Sequence, residues 1–237
     1  MKKLLQISTI LYVTLISCKQ EPKQLLIHSE KEESNEHKNE TLQIIEIDSS
    51  QFPKSLQYEG FVKNAVRWKD KSGDNIAITT ETGIHRNEKF KHEYDESGDA
   101  ELFGYHFLVK NNQVVQTWKV YDYITDCPVD IGASFVKNTF NVTDLDKNGI
   151  AEIWLMYKTV CHGDVSPSNM KIIMYEGKQK YAMRGENKVQ IGVDDNGKET
   201  FEGGKYIFDT VFEKGPKVFK DYALNLWNKN VFEKWGD

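Results

Sequence analysis

The chain has 237 residues, 39% of them hydrophobic and 28% charged, so it holds material for one sizeable domain or two small ones of ordinary globular composition. Its formal net charge of −5 weighs against nucleic acid as a partner, because binding a phosphate backbone draws on a surplus of Lys and Arg.

In chain order, Lys2 and Lys3 precede an apolar run over residues 4–16 that is too short to span a bilayer and has the shape of a secretory signal. The run ends Leu15-Ile16-Ser17-Cys18, which resembles the bacterial lipobox. That resemblance implies a signal peptide over 1–17, lipidation of Cys18 and attachment to a membrane through the lipid; an uncleaved signal anchor is the rival reading. Residues 19–40 contain no aromatic residue and no Gly but six Glu and four Lys, so 18–41 reads as a flexible charged tether. Lys19 and Glu21 partly match the surface-export signal of Bacteroidota lipoproteins, which leaves the periplasmic face and the cell surface both open.

Residues 42–237 read as a single β-rich domain. Runs at 61–68 and 75–80 flank the turn Asp70-Lys71-Ser72-Gly73-Asp74; runs at 105–109 and 114–121 flank Asn111-Asn112; runs at 170–175 and 179–183 flank Glu176-Gly177. The fold class expected is mainly β, antiparallel hairpins arranged as a propeller or a sandwich, with a C-terminal helix at about 218–232. Val218, Phe219, Tyr222, Ala223, Leu226 and Trp227 supply the apolar face of that helix. The turn sequences DKSGDNIAI, DLDKNGIAEI and, more weakly, VDDNGKETF echo one another, as in a divergent β repeat. Trp118, Trp154 and Trp227 read as core residues, with a sugar-stacking platform as the alternative.

The densest set of candidate ligands lies between Asn141 and Tyr175. Asp144, Asp146 and Asn148 alternate, Gly149 follows and Glu152 closes the segment, placing hard oxygen donors of the kind calcium takes around a turn; the backbone carbonyl of Ile150 is a fifth candidate. An EF-hand is excluded, since its twelfth loop position is Leu155 and the segment that follows, IWLMY, is β-forming. The segment resembles the loop-then-strand calcium motif of FG-GAP and VCBS repeats. The rival is an Asx-rich hairpin with Asn148-Gly149 as a tight turn and solvated carboxylates.

His162-Gly163-Asp164 with Asn169 resembles the catalytic loop of aminoglycoside and choline phosphotransferases, which would make Asp164 a base and Asn169 a magnesium ligand, with Asp194 or Asp195 as the later metal aspartate. No nucleotide loop or lysine strand precedes it, so a structural loop built on Gly163 and Pro167 is preferred. With Cys18 lipidated, Cys127 and Cys161 are an even pair in an oxidising compartment and are expected to bond; the rival is a reactive thiol with His162 as base.

Together the lipobox, the tether, the turn after Trp68, the VTDLDKNGIAEIW segment and the Cys161-His162-Gly163-Asp164 loop resemble a family of Flavobacteriia lipoproteins described as surface polysaccharide biosynthesis proteins. The resemblance spans the domain from about Phe61 onward. It implies an outer-membrane lipoprotein, at the periplasmic face or cell surface, that assists surface polysaccharide (lipopolysaccharide-type) biosynthesis or display as a non-catalytic binding or scaffold module. Its partners would be the membrane, and a surface glycan or envelope proteins. A calcium-stabilised glycan- or protein-recognition domain is the alternative, and an exported enzyme using Asp144, Glu152, His162 or Asp164 a further one.

Overall fold

The computed structural model describes residues 42–111 and 113–233. The expected signal peptide, Cys18, the tether and Asn112 lie outside the described residues. Two antiparallel sheets face one another. The first is a meander of β1 (Ile44–Glu46), β2 (Phe61–Asp70), β3 (Gly73–His85), β4 (Gly98–Lys110) and β5 (Gln113–Cys127) in that order. The second contains β6 (Ile131–Phe135), β7 (Asn141–Thr143), β8 (Glu152–Cys161), β9 (Asn169–Glu176), β10 (Gln179–Glu186) and β13 (Tyr206–Phe208), ordered β13-β10-β9-β8-β6 with β7 also on β8. A small third sheet pairs β11 (Lys188–Val193) with β12 (Glu199–Gly203) and, in parallel, with β14 (Phe232–Glu233). Two helices, α1 (Thr210–Lys214) and α2 (Lys217–Asn230), close the chain. The sandwich arrangement is the one formed.

Strand alternation explains the layers. In β8, Ile153, Leu155 and Tyr157 point between the two large sheets, where they meet Trp68, Leu102, Val120 and Ile173. Trp154 and Met156, on the opposite face, pack under Phe212 of α1 and Phe219, Ala223 and Trp227 of α2. The IWLMY run is therefore buried on both faces, which is why it reads as continuously apolar. At the spacing i, i+4, i+8 the three α2 residues form one stripe, and each large side chain so buried contributes roughly 1.5–3 kcal/mol. Trp118, Trp154 and Trp227 are all core residues, at 8%, 0% and 1% exposure.

The outer face of the first sheet is covered as well. Ile76, Ile78, Phe103, Tyr105 and Phe107 carry Phe52, Leu56 and Tyr58 from the segment between β1 and β2. Gly104 lies on the inner face, where a Cβ would come within 2.7 Å of Leu155; the glycine lets the two sheets approach. Cys127 at the end of β5 and Cys161 at the end of β8 are bonded, so the disulfide joins one sheet to the other. On the chain-entropy model its closure stabilises the fold by about 3–4 kcal/mol.

The terminal helix stops two residues before its expected end. Val231 gives its carbonyl to the Lys188 N–H (2.7 Å) and Phe232 pairs with Lys188, so strand pairing takes over where helical spacing alone would have continued. Among the described residues no helix is long and apolar enough to cross a membrane.

Candidate metal centre

The segment between β7 and β8 winds back on itself through its own short side chains. The Gly149 N–H donates to Asp144 (3.2 Å), the Asn148 N–H to Asp146 (3.1 Å) and the Ile150 N–H to Asn148 Oδ1 (2.7 Å). Such Asx turns replace backbone pairing and fix where the remaining side-chain oxygens lie. Gly149 sits at φ +82°, a conformation that favours glycine, and the end of the Lys71 side chain lies over it.

Asp144, Asp146 and Glu152 each offer one oxygen, and the three lie within 4.8 Å of one another; this acidic cluster could hold a metal ion. Glu152 is fully buried, accepting from the Thr143 hydroxyl (2.6 Å) and the Leu145 N–H (3.0 Å). Burial pushes its carboxyl above the usual range, and the Asp146 charge adds to the shift. Asn148, another expected ligand, lies against the cluster with its amide nitrogen on Asp146 (3.1 Å) and Glu176; Ile150 enters through its N–H.

Glu176 is the member that sequence reasoning missed. It ends β9 directly opposite Glu152 in the β8–β9 register, and its carboxyl is raised by burial first and then by Asp146 and Asp144. Its only sequence signal was a place beside the turn at Gly177; the register that carries it to Glu152 is a property of the sheet.

The loop is also braced to the first sheet. The Lys71 N–H donates to the Gly149 carbonyl (2.9 Å), Lys71 Nζ to the Asn148 carbonyl, and the Ala151 N–H to Asp70 (3.0 Å). Two of the echoing sequences thus meet in space as neighbouring turns rather than as equivalent repeats. From Asp70 a polar chain runs inward through Asn75, whose Oδ1 lies 3.0 Å from His106 Nε2, and on to Thr117 at His106 Nδ1. His106 is packed between Trp68 and Trp118, and burial pushes its pKa down to about 4.

No protein-family model, curated protein or solved structure matches the chain.

The other candidate residues are engaged elsewhere. Cys161 is in the disulfide, which removes the thiol that a cysteine nucleophile would need. His162 Nδ1 lies 3.0 Å from the Asp164 carbonyl oxygen, and Asp164 is exposed, with its carboxyl held low by Ser166 in a local turn. Asn169 starts β9 opposite Thr159 and Glu186, while Asp194 accepts N–H groups of Asn196 and Lys198 in the β11–β12 turn. A further polar knot went unnoticed in the sequence. Asp99, wholly buried, accepts from the Asn87 N–H (2.6 Å), the Thr125 hydroxyl (2.9 Å) and the Asp126 N–H (3.0 Å) and lies 2.7 Å from His92 Nε2. These bonds outweigh burial and bring its pKa down to about 2, so Asp99 anchors the loop after β3 as a structural carboxylate.

Proposed function

We propose that the chain is a calcium-stabilised, non-catalytic binding or scaffold module of the cell envelope. One observation carries the calcium reading: Asp144, Asp146 and Glu152 converge beside Glu176 in a loop with fewer donors than carboxylate oxygens. Hard, clustered carboxylates with a buried glutamate and a loop built on Asx turns suit calcium better than magnesium, which keeps much of its water and demands a tighter octahedron. The engagement of Cys161, His162 and Asp164 in a disulfide and a surface turn supports the non-catalytic part.

The place of action is the outer membrane and the process is the assembly or display of surface polysaccharide. The lipobox-like Leu15-Ile16-Ser17-Cys18 and the likeness to the Flavobacteriia lipoproteins support that reading. Two experiments test it. Thermal melts with calcium and with chelator should differ by several degrees, and equal midpoints would remove calcium. Deletion should alter surface polysaccharide, and a copy carrying Asp164→Ala should restore it. Failure of that folded, exported variant to complement would put an enzyme using the His162 loop in first place.

A further inference from the structure

The cleft on the outer face of the first sheet has a volume of about 560 Å³, within the range of small-ligand sites. Its walls are Leu56, Gln57, Tyr58 and Glu59 from the segment before β2, and Gln116 and Lys119 from β5; Tyr105 lines it from β4. The 57–59 segment is pinned by its backbone. The Glu59 N–H donates to the Tyr105 hydroxyl (3.0 Å), and the Glu59 carbonyl accepts from Thr80 (2.5 Å). Among the described residues the side-chain amides of Gln57 and Gln116 and the Tyr58 hydroxyl have no protein hydrogen-bond partner, so these groups remain available to a ligand on a preorganised wall.

The lining selects a ligand class. A hydrocarbon would desolvate two amides, a phenol and an ion pair while giving them nothing in return. A phosphate would meet a single ammonium, Lys119, already 2.6 Å from the Glu59 carboxylate. A ring bearing several hydroxyls presents both donors and acceptors to amides, which carry both, and its C–H faces can lie against aromatic carbon. Beyond the cleft the outward positions of β5 continue as Lys119, Tyr121 and Tyr123, about 13 Å at 3.3 Å per residue. Tyr121 and Tyr123 are 43% and 42% exposed, and Tyr123 stacks on Phe90 at 5.1 Å. Tyr121 is already stacked between Phe103 (4.9 Å) and Tyr123 (5.0 Å), so these rings offer edges and not open faces, and the cleft itself is the candidate surface.

We propose that this cleft binds an oligosaccharide. The proposal supplies a ligand class for the binding module described above, but it stands on the cleft and not on the cation loop. The test is a titration of the purified protein, with calcium present, by cellotetraose and by tetragalacturonate, followed through backbone amide resonances. Saturable shifts centred on Gln57, Tyr58 and Gln116 are expected with at least one of the two. The double change Gln57→Ala, Gln116→Ala should weaken that binding by about tenfold or more and leave the melting temperature unchanged, since both side chains are exposed. Absence of saturable shifts with either sugar at millimolar concentration, or unchanged affinity in the double variant, would overturn the proposal. A deletion strain without a polysaccharide defect would instead count against the envelope role alone.

Discussion

The two turns that meet between the sheets share a sequence pattern and differ in their electrostatic state. At the β2–β3 turn a single carboxylate, Asp70, accepts from Trp68 Nε1 (3.0 Å), the Ser72 N–H and hydroxyl (2.7 and 2.5 Å), Asn75 Nδ2 (3.0 Å) and the Ala151 N–H (3.0 Å). Burial alone would raise its pKa, yet these donors together lower it. At the β7–β8 loop carboxylates crowd one another, and Glu152 and Glu176 are both raised. One turn sets five donors on a single carboxylate; the other divides the Thr143 hydroxyl, the Leu145, Asn148 and Gly149 N–H groups and the Asn148 amide among four carboxylates. An Asp-rich turn thus becomes a candidate cation site through a deficit of donors, not through its spacing alone.

The strongest way to break this contrast is Asp70→Ala. Removing a carboxylate that serves five donors, one of them on the other sheet, should destabilise the fold by about 3 kcal/mol. The loss should be the same with calcium and with chelator, as measured by denaturant unfolding. A loss seen only in calcium would mean that the Asp70 turn belongs to the cation site.

Acid should strike the same network next. His106 has a folded pKa near 4 against 6.5 in the unfolded chain, so the unfolded state binds the extra proton first as pH falls. Its neutral form is fully accommodated above pH 6.5. Stability should then drop between pH 6.5 and 4, by a total on the order of 3 kcal/mol from this group. The ring carbon shifts of His106 should not titrate above pH 5; an ordinary midpoint near 6.5 would contradict the buried network.

Calcium sharpens the comparison from the other side. At a hundredfold excess over its Kd it should stabilise the protein by about 2.7 kcal/mol, and Asp146→Ala should remove that increment while changing the chelated protein little. An Asp146→Ala protein that still gains full stability from calcium would place the ion elsewhere.

Much of this architecture is legible in the sequence because local rules decide it. The hairpins at 61–80, 105–121 and 170–183 follow from alternation and turn residues, and IWLMY reads as a strand from its β-forming residues. The acidic loop could be read because Asp144, Asp146, Asn148 and Gly149 are close in sequence and fold through their own Asx turns. What escaped depends on long-range placement. Glu176 reaches Glu152 only through strand register, Asp70 reaches Ala151 only because the sheets stack, and the helix end at Asn230 is set by pairing of Phe232 with Lys188. The echo between the two turns was visible, but it pointed to a repeat; in the fold it marks a contact.

The smallest effect is also the most specific to that hidden register. Glu152 and Glu176 face each other across β8 and β9, and like charges directly opposite cost up to about 1 kcal/mol. Glu176→Gln keeps an oxygen for the Asn148 amide and removes the charge. In chelator it should raise stability by about 0.5 kcal/mol, while in calcium the increment from the ion should shrink. A pH series separates this from ordinary packing. A carboxyl whose folded pKa is raised makes the folded state the tighter proton binder, so its favourable contribution is present at low pH and is lost as pH rises through the folded pKa. The chelated parent protein should therefore carry a downward slope above about pH 4.5 that the Gln variant partly loses. If Glu176→Gln instead lowers stability in chelator and leaves the calcium increment intact, Glu176 is a hydrogen-bond partner of Asn148 and no part of the charge cluster.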